Sequence, residues 1–81
     1  MNEHIDDTTA VDQFLKNIGF RIQYFRKSTD LSQEELAERT DLSPSTIAHI
    51  EASAPYTLSL KTLFKIANAL SVEPYKLLYF E

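Results

Sequence analysis

The side chains best suited to chemistry cluster in one stretch of the chain: Ser32 and Gln33, then Ser43, Ser45, Thr46 and His49. Ser45 and His49 stand four residues apart, so a helix places both on one face, with Ser43, Thr46 and Ala48 also turned outward. A hydroxyl and an imidazole on a common exposed face suit contact with base edges in a DNA groove. The same residues do not make a catalytic set. No nucleophile paired with a base, no carboxylate pair in a cleft and no glycine-rich phosphate loop is visible, and Gly19 is the only glycine. Without cysteine, and with His4 and His49 far apart in sequence, nothing suggests a metal pair. An enzyme is disfavoured, and neither metal nor cofactor is expected.

Those polar residues need a rigid frame, and the apolar pattern supplies one made of helices. Val11, Phe14, Leu15, Ile18, Ile22 and Phe25 repeat at the spacing of one helical face, marking a first helix to about Lys27. Ser32 and Glu35 have capping-box spacing, and Leu31 and Leu36 fall where a hydrophobic staple packs, so a second helix starts at Gln33 and ends near Thr40. Ser43 as N-cap and Pro44 at the first helical position open a third helix to about Glu51. Ala52 to Leu58 contains Pro55 and reads as a loop. Ser59 caps a fourth helix with Leu60, Leu63, Ile66, Ala67 and Leu70 inward, and Glu73-Pro74 opens a short fifth helix to about Tyr79. The expected fold is all-α, five helices, with the second and third joined tightly enough for one to lie in a major groove while the other braces it. Leu36, Ala37, Leu42, Ile47 and Ile50 face inward and set the angle between them.

A chain of 81 residues, 43% hydrophobic and 25% charged, fits one small domain with little core left over to line a substrate cleft. The net charge of -4 is uneven: residues 1–15 hold Glu3, Asp6, Asp7 and Asp12 without a cation, whereas the remainder balances eight acids against eight bases. The expected organisation is a flexible acidic tail over 1–10 and a single domain over 11–81. No signal-peptide pattern and no run approaching the roughly 20 apolar residues of a membrane span is seen, so the expectation is a cytoplasmic protein that does not engage membranes.

At the level of particular residues, the run from Ile18 to Leu78 resembles the Xre family, the Cro and phage-repressor type of helix-turn-helix domain. The resemblance is carried by Ile18-Gly19-Phe20-Arg21-Ile22, Leu31-Ser32-Gln33-Glu34-Glu35-Leu36-Ala37-Glu38-Arg39, Leu42-Ser43, Ile47, Ile50-Glu51, and Leu63-Phe64-Lys65-Ile66-Ala67-Asn68-Ala69-Leu70-Ser71-Val72. It implies a compact lambda-repressor-like domain. It also implies that Ser32 and Gln33 grip a phosphate, a role that helix-end amides favour. By the same resemblance Pro44, Ser45 and His49 face bases, Ser43 and Thr46 touch phosphate or the groove edge, and Arg26 pairs with Glu51 in a partly buried salt bridge. Two departures stand out. Ser53 occupies the place where the family usually has glycine, and the loop from Ala52 to Leu58 carries no cation, which predicts modest non-specific affinity.

Tyr75, Leu78, Tyr79 and Phe80 exceed what one helical turn can bury in so small a domain and mark a self-association surface, with Phe20 and Tyr24 as an extension. A two-fold homodimer would set two third helices about 34 Å apart and require a palindromic operator in double-stranded DNA. The expected function is thus a transcriptional regulator: a phage-type repressor, a restriction-modification controller or an autoregulating antitoxin. The alternative is a helix-turn-helix domain repurposed to bind a protein partner, suggested by the acidic tail, the uncharged loop and the exposed aromatics.

Overall fold

A computed structural model describes residues 7–52 and 58–79. Among the described residues there are four α-helices and no strand: α1 (Asp7–Ser28), α2 (Gln33–Thr40), α3 (Pro44–Glu51) and α4 (Leu60–Ala69), followed by one 3₁₀ turn, Pro74–Leu77. The expected fifth α-helix is therefore a single turn. Its bonds run from Lys76 N–H to the Glu73 carbonyl and from Leu78 N–H to the Tyr75 carbonyl, both i to i+3. One turn suffices because only Leu77 has to be driven fully into the core.

Helix α1 starts a turn before the apolar periodicity does. Residues 7–10 add no apolar stripe for a pattern to detect. Residues 1–6 of the expected tail lie outside the described residues. The early turns of α1 also outrun the core: Ile18 and Ile22 are buried and Leu15 and Phe25 half-buried, yet Val11 is 54% exposed. In α4, Leu63, Ile66, Ala67 and the following Leu70 face inward as the pattern requires. Leu60 does not; at the first position of the helix it is 71% exposed.

Ser32, Ser43 and Ser59 start their helices in the same way, each from extended backbone with the hydroxyl accepting the N–H three residues on. Three ends are also alike. Asp30, Asp41 and Ser71 adopt left-handed φ near 60°, and the N–H of the next residue reaches back to the carbonyls of Arg26, Ala37 and Ala67 respectively, closing Schellman motifs without glycine. The Asp41 turn leads from α2 straight into α3.

The core is one cluster: Ile18 and Ile22 from α1, Leu36 and Ala37 from α2, Ile47 and Ile50 from α3, and Leu63, Ile66 and Ala67 from α4, closed by Leu31, Leu70 and Leu77. Arg21 fastens α1 to the 3₁₀ turn, its Nε–H donating to the Lys76 carbonyl at 3.1 Å while its guanidinium lies 5.1 Å from the Phe25 ring centre.

Candidate nucleic-acid interface

Helix α3 is amphipathic in the sense that groove reading needs. Ile47 and Ile50 are buried against the other helices, while Pro44, Ser45 and His49 are exposed together with the N-cap Ser43. Thr46 is half-buried, and its hydroxyl lies 2.8 Å from the Ser43 hydroxyl. Ser43 Oγ also accepts the Thr46 N–H at 3.0 Å. These two hydroxyls thus build the start of the helix. The left-handed residue Asp41 and the half-buried Leu42 fill the connection, and the small Ala37 is buried in α2.

Three helix ends meet at a buried ion pair. Arg26 from the last turn of α1 donates Nε–H to Glu51 Oε2 at 2.6 Å, Nη2–H to Glu51 Oε1 at 3.0 Å and Nη1–H to the Leu31 carbonyl at 2.7 Å. The Glu51 side chain, at the end of α3, is only 1% exposed. Gln33, at the start of α2, joins the group by donating Nε2–H to Glu51 Oε1 at 3.1 Å. Arg26 and Glu51 were paired in sequence through the resemblance alone. The Gln33 bond was missed, because no spacing rule links residues 18 positions apart on different helices.

The capping box is formed in full: Ser32 Oγ accepts the Glu35 N–H at 3.0 Å, and Glu35 Oε1 accepts the Ser32 N–H at 2.8 Å. The Ser32 backbone N–H, then its side chain, hold the Glu35 carboxyl below the usual glutamate range; Arg39 adds a smaller pull, and burial opposes all three. Because the folded state favours the ionised form, this contribution is present above the unfolded glutamate pKa and lost as pH falls through the lower folded value. Glu35→Gln should therefore be less heat-stable than wild type at neutral pH, with the gap in Tm closing in acid. A gap independent of pH would dismiss the carboxylate as its source.

Outside α3 the electrostatics are mixed. The outer side of α2 exposes Glu34, Glu35 and Glu38 with Arg39 as its cation. Ser53 and the rest of its loop through Thr57 lie outside the described residues, and so does Phe80. Tyr75 is 62% exposed, Tyr79 is also exposed and Leu78 is half-buried. A shallow groove between α4 and the 3₁₀ turn was not foreseen; Leu60, Phe64, Val72 and Pro74 make it apolar, and Lys61 and Lys65 flank it. Helical periodicity had assigned Leu60 to the core, and the exposed Phe64 gave no separate signal. Among the described residues no group of His, Asp and Glu could hold a metal ion, and no helix is long and apolar enough to cross a membrane.

Two short helices in a tight turn, with a polar face on the second, define a helix-turn-helix unit. A helix-turn-helix family model, HTH_3, matches residues 22–77. The immunity repressor protein of Bacillus phage phi105 is 43% identical over 56 residues, covering 69% of this chain and 38% of the repressor. The chain thus spans little more than a third of that relative's length. Among solved structures, the restriction-modification controller protein C.AhdI from Aeromonas hydrophila superposes with a TM-score of 0.77 at 33% identity, over 82% of this chain and 94% of the controller. A hypothetical transcription factor from Neisseria, NHTF, gives 0.78 at 28% identity, over 98% and 85%. The chain belongs to the Xre-type helix-turn-helix family of DNA-binding transcription regulators. Fold and family are those of regulators, not of enzymes.

Proposed function

We propose that the chain regulates transcription by binding a palindromic operator as a homodimer, with α3 in the major groove. The observation that carries this reading is the exposed row Ser43, Pro44, Ser45 and His49 on a helix whose opposite side is locked into the core. Ser45 and His49 read base edges, Pro44 packs beside them, and Ser43 and Thr46 meet the groove edge or phosphate. Ser32 and Gln33 contact phosphate at the start of α2, where helix-end amides favour an anion. Exposed Tyr75, Tyr79, Leu60 and Phe64 supply apolar surface for a second copy, with Leu78 beside them and Phe80 continuing the chain. The similarity to a phage immunity repressor supports repression as the outcome; a restriction-modification controller and an autoregulating antitoxin are the other roles considered.

Selected-site enrichment from random duplexes is expected to yield a palindrome with half-sites about one helical turn apart. Against that site, Ser45→Ala/His49→Ala should bind about tenfold or more weakly, a loss in line with about 1–3 kcal/mol for a lost base contact. Failure to enrich any sequence, or affinity insensitive to salt, would refute DNA reading. Sedimentation showing a monomer at tens of micromolar and on DNA would refute the dimer alone. The apolar groove on α4 and the acidic outer side of α2 favour one rival, a domain that docks a protein partner; that rival gains if enrichment fails.

A further inference from the structure

Gln33 occupies the first position of α2 and is half-buried. Its amide carries two N–H donors and one oxygen acceptor. One donor is committed to Glu51 Oε1 at 3.1 Å. A carboxylate only accepts, so the amide oxygen cannot take the donor's place there without setting two acceptors against each other. The bond therefore selects one of the two amide orientations. The second N–H diverges from Glu51 within the amide plane.

Glu51 can hold this position only because its charge is already met. Its carboxylate accepts from Arg26 Nε at 2.6 Å and from Nη2 at 3.0 Å, the two-pronged geometry that fits a guanidinium to a carboxylate. Alone, the acid would repel a phosphate at the start of α2; paired, it contributes direction without net charge. Arg26 in turn grips the Leu31 carbonyl at 2.7 Å, just before the Ser32 cap, so the group fixes the backbone from which Gln33 projects.

We infer that Glu51 is a positioning residue for DNA contact: with its negative charge balanced by Arg26, it fixes the Gln33 amide so that the second Nε2–H meets a backbone phosphate oxygen. The inference rests on the reading that Gln33 contacts phosphate. Ordering a glutamine side chain carries one of the larger rotamer costs; here folding, not binding, bears it. Glu51 thus acts on affinity through Gln33 without touching the nucleic acid.

Nuclear magnetic resonance of the two Gln33 side-chain amide protons in the full chain, free and with a random-sequence duplex of about 20 base pairs (two turns) at low salt, tests this directly. In the free protein one proton should lie downfield and exchange slowly. On binding, that proton should hold its position while the other moves downfield. If the first proton instead loses its shift, Gln33 must release Glu51 to reach DNA, and the proposal is overturned. If neither proton responds while the duplex binds, the phosphate reading of Gln33 itself fails.

A mutant cycle gives a second measure in a background chosen to fold. Arg26→Met/Glu51→Met replaces the buried pair with apolar groups of similar volume, a change that proteins often tolerate, and its helicity is checked by circular dichroism. In wild type, Gln33→Ala should weaken duplex binding about tenfold, the worth of one hydrogen bond to a charged group. In the methionine background the same substitution should cost less than about twofold. Equal losses in both backgrounds would show that Gln33 works without Glu51 and would overturn the proposal. No loss in wild type would reject the phosphate contact instead.

Discussion

Glu51→Ala is expected to destabilise the domain by about 3–5 kcal/mol, the cost of stranding one member of a buried ion pair. The loss falls on Arg26, whose side chain is 9% exposed and would keep only the Leu31 carbonyl of its three hydrogen bonds. Against a total stability on the order of 5–10 kcal/mol for so small a domain, such a loss removes roughly a third or more of the margin. Urea denaturation of wild type and variant measures it. Arg26→Met/Glu51→Met should lose much less than the single change, because no charge is then left buried without a partner. The difference should also resist salt, since water and ions do not reach a pair this deep. A single-mutant cost below about 1 kcal/mol, the range of an exposed pair, would mean that the pair does not close in solution.

Three helix starts were announced by a local signal, whereas the ends at Ser28, Thr40 and Glu51, which fall within about a residue of where they were expected, had no such signal. Ser32, Ser43 and Ser59 each announce a start through a hydroxyl that caps the N–H three residues later, and all three do so in the structure. Ends are usually announced by glycine in the left-handed region. Here Asp30, Asp41 and Ser71 take that conformation, so the stops had to be placed from where periodicity fades. Periodicity failed where burial failed. Val11 and Leu60 keep the helical spacing but sit where the core has run out, and the aromatic run after Pro74 looked like a helix although one 3₁₀ turn already buries Leu77. In the candidate interface, the outward row from Ser43 to His49 followed from spacing within a single helix. The junction of Arg26, Gln33 and Glu51 draws on three helices, and only assembly of the fold brings its members together.

Gly19→Ala sets helix propensity against packing, and packing is expected to win. Gly19 lies in the interior of α1, where alanine is preferred over glycine by about 1 kcal/mol. A Cβ built on it, however, stands 2.5 Å from the carbonyl oxygen of Ile50 and 3.1 Å from that of Glu51. Both obstacles are backbone at the end of α3, so no side-chain rotation relieves them. The helices must part, and the movement strains the Arg26–Glu51 bonds that cross the same junction. Overpacking of this kind costs about 1–3 kcal/mol and occasionally more; with two backbone carbonyl oxygens in the way, the upper part of that range applies. The net loss after the propensity gain should be about 2 kcal/mol, and Gly19→Val should lose more. Lys16→Ala, at an exposed position of the same helix, is the control and should change stability by no more than about 0.5 kcal/mol. DNA affinity should fall with stability in the Gly19 variants even where they remain folded, because parting α1 from α3 moves the reading face. Should Gly19→Ala stabilise the protein by what propensity alone provides, α1 and α3 do not approach as closely as this junction requires. The placement of α3, and of the contacts assigned to Ser45 and His49, would then have to be redrawn.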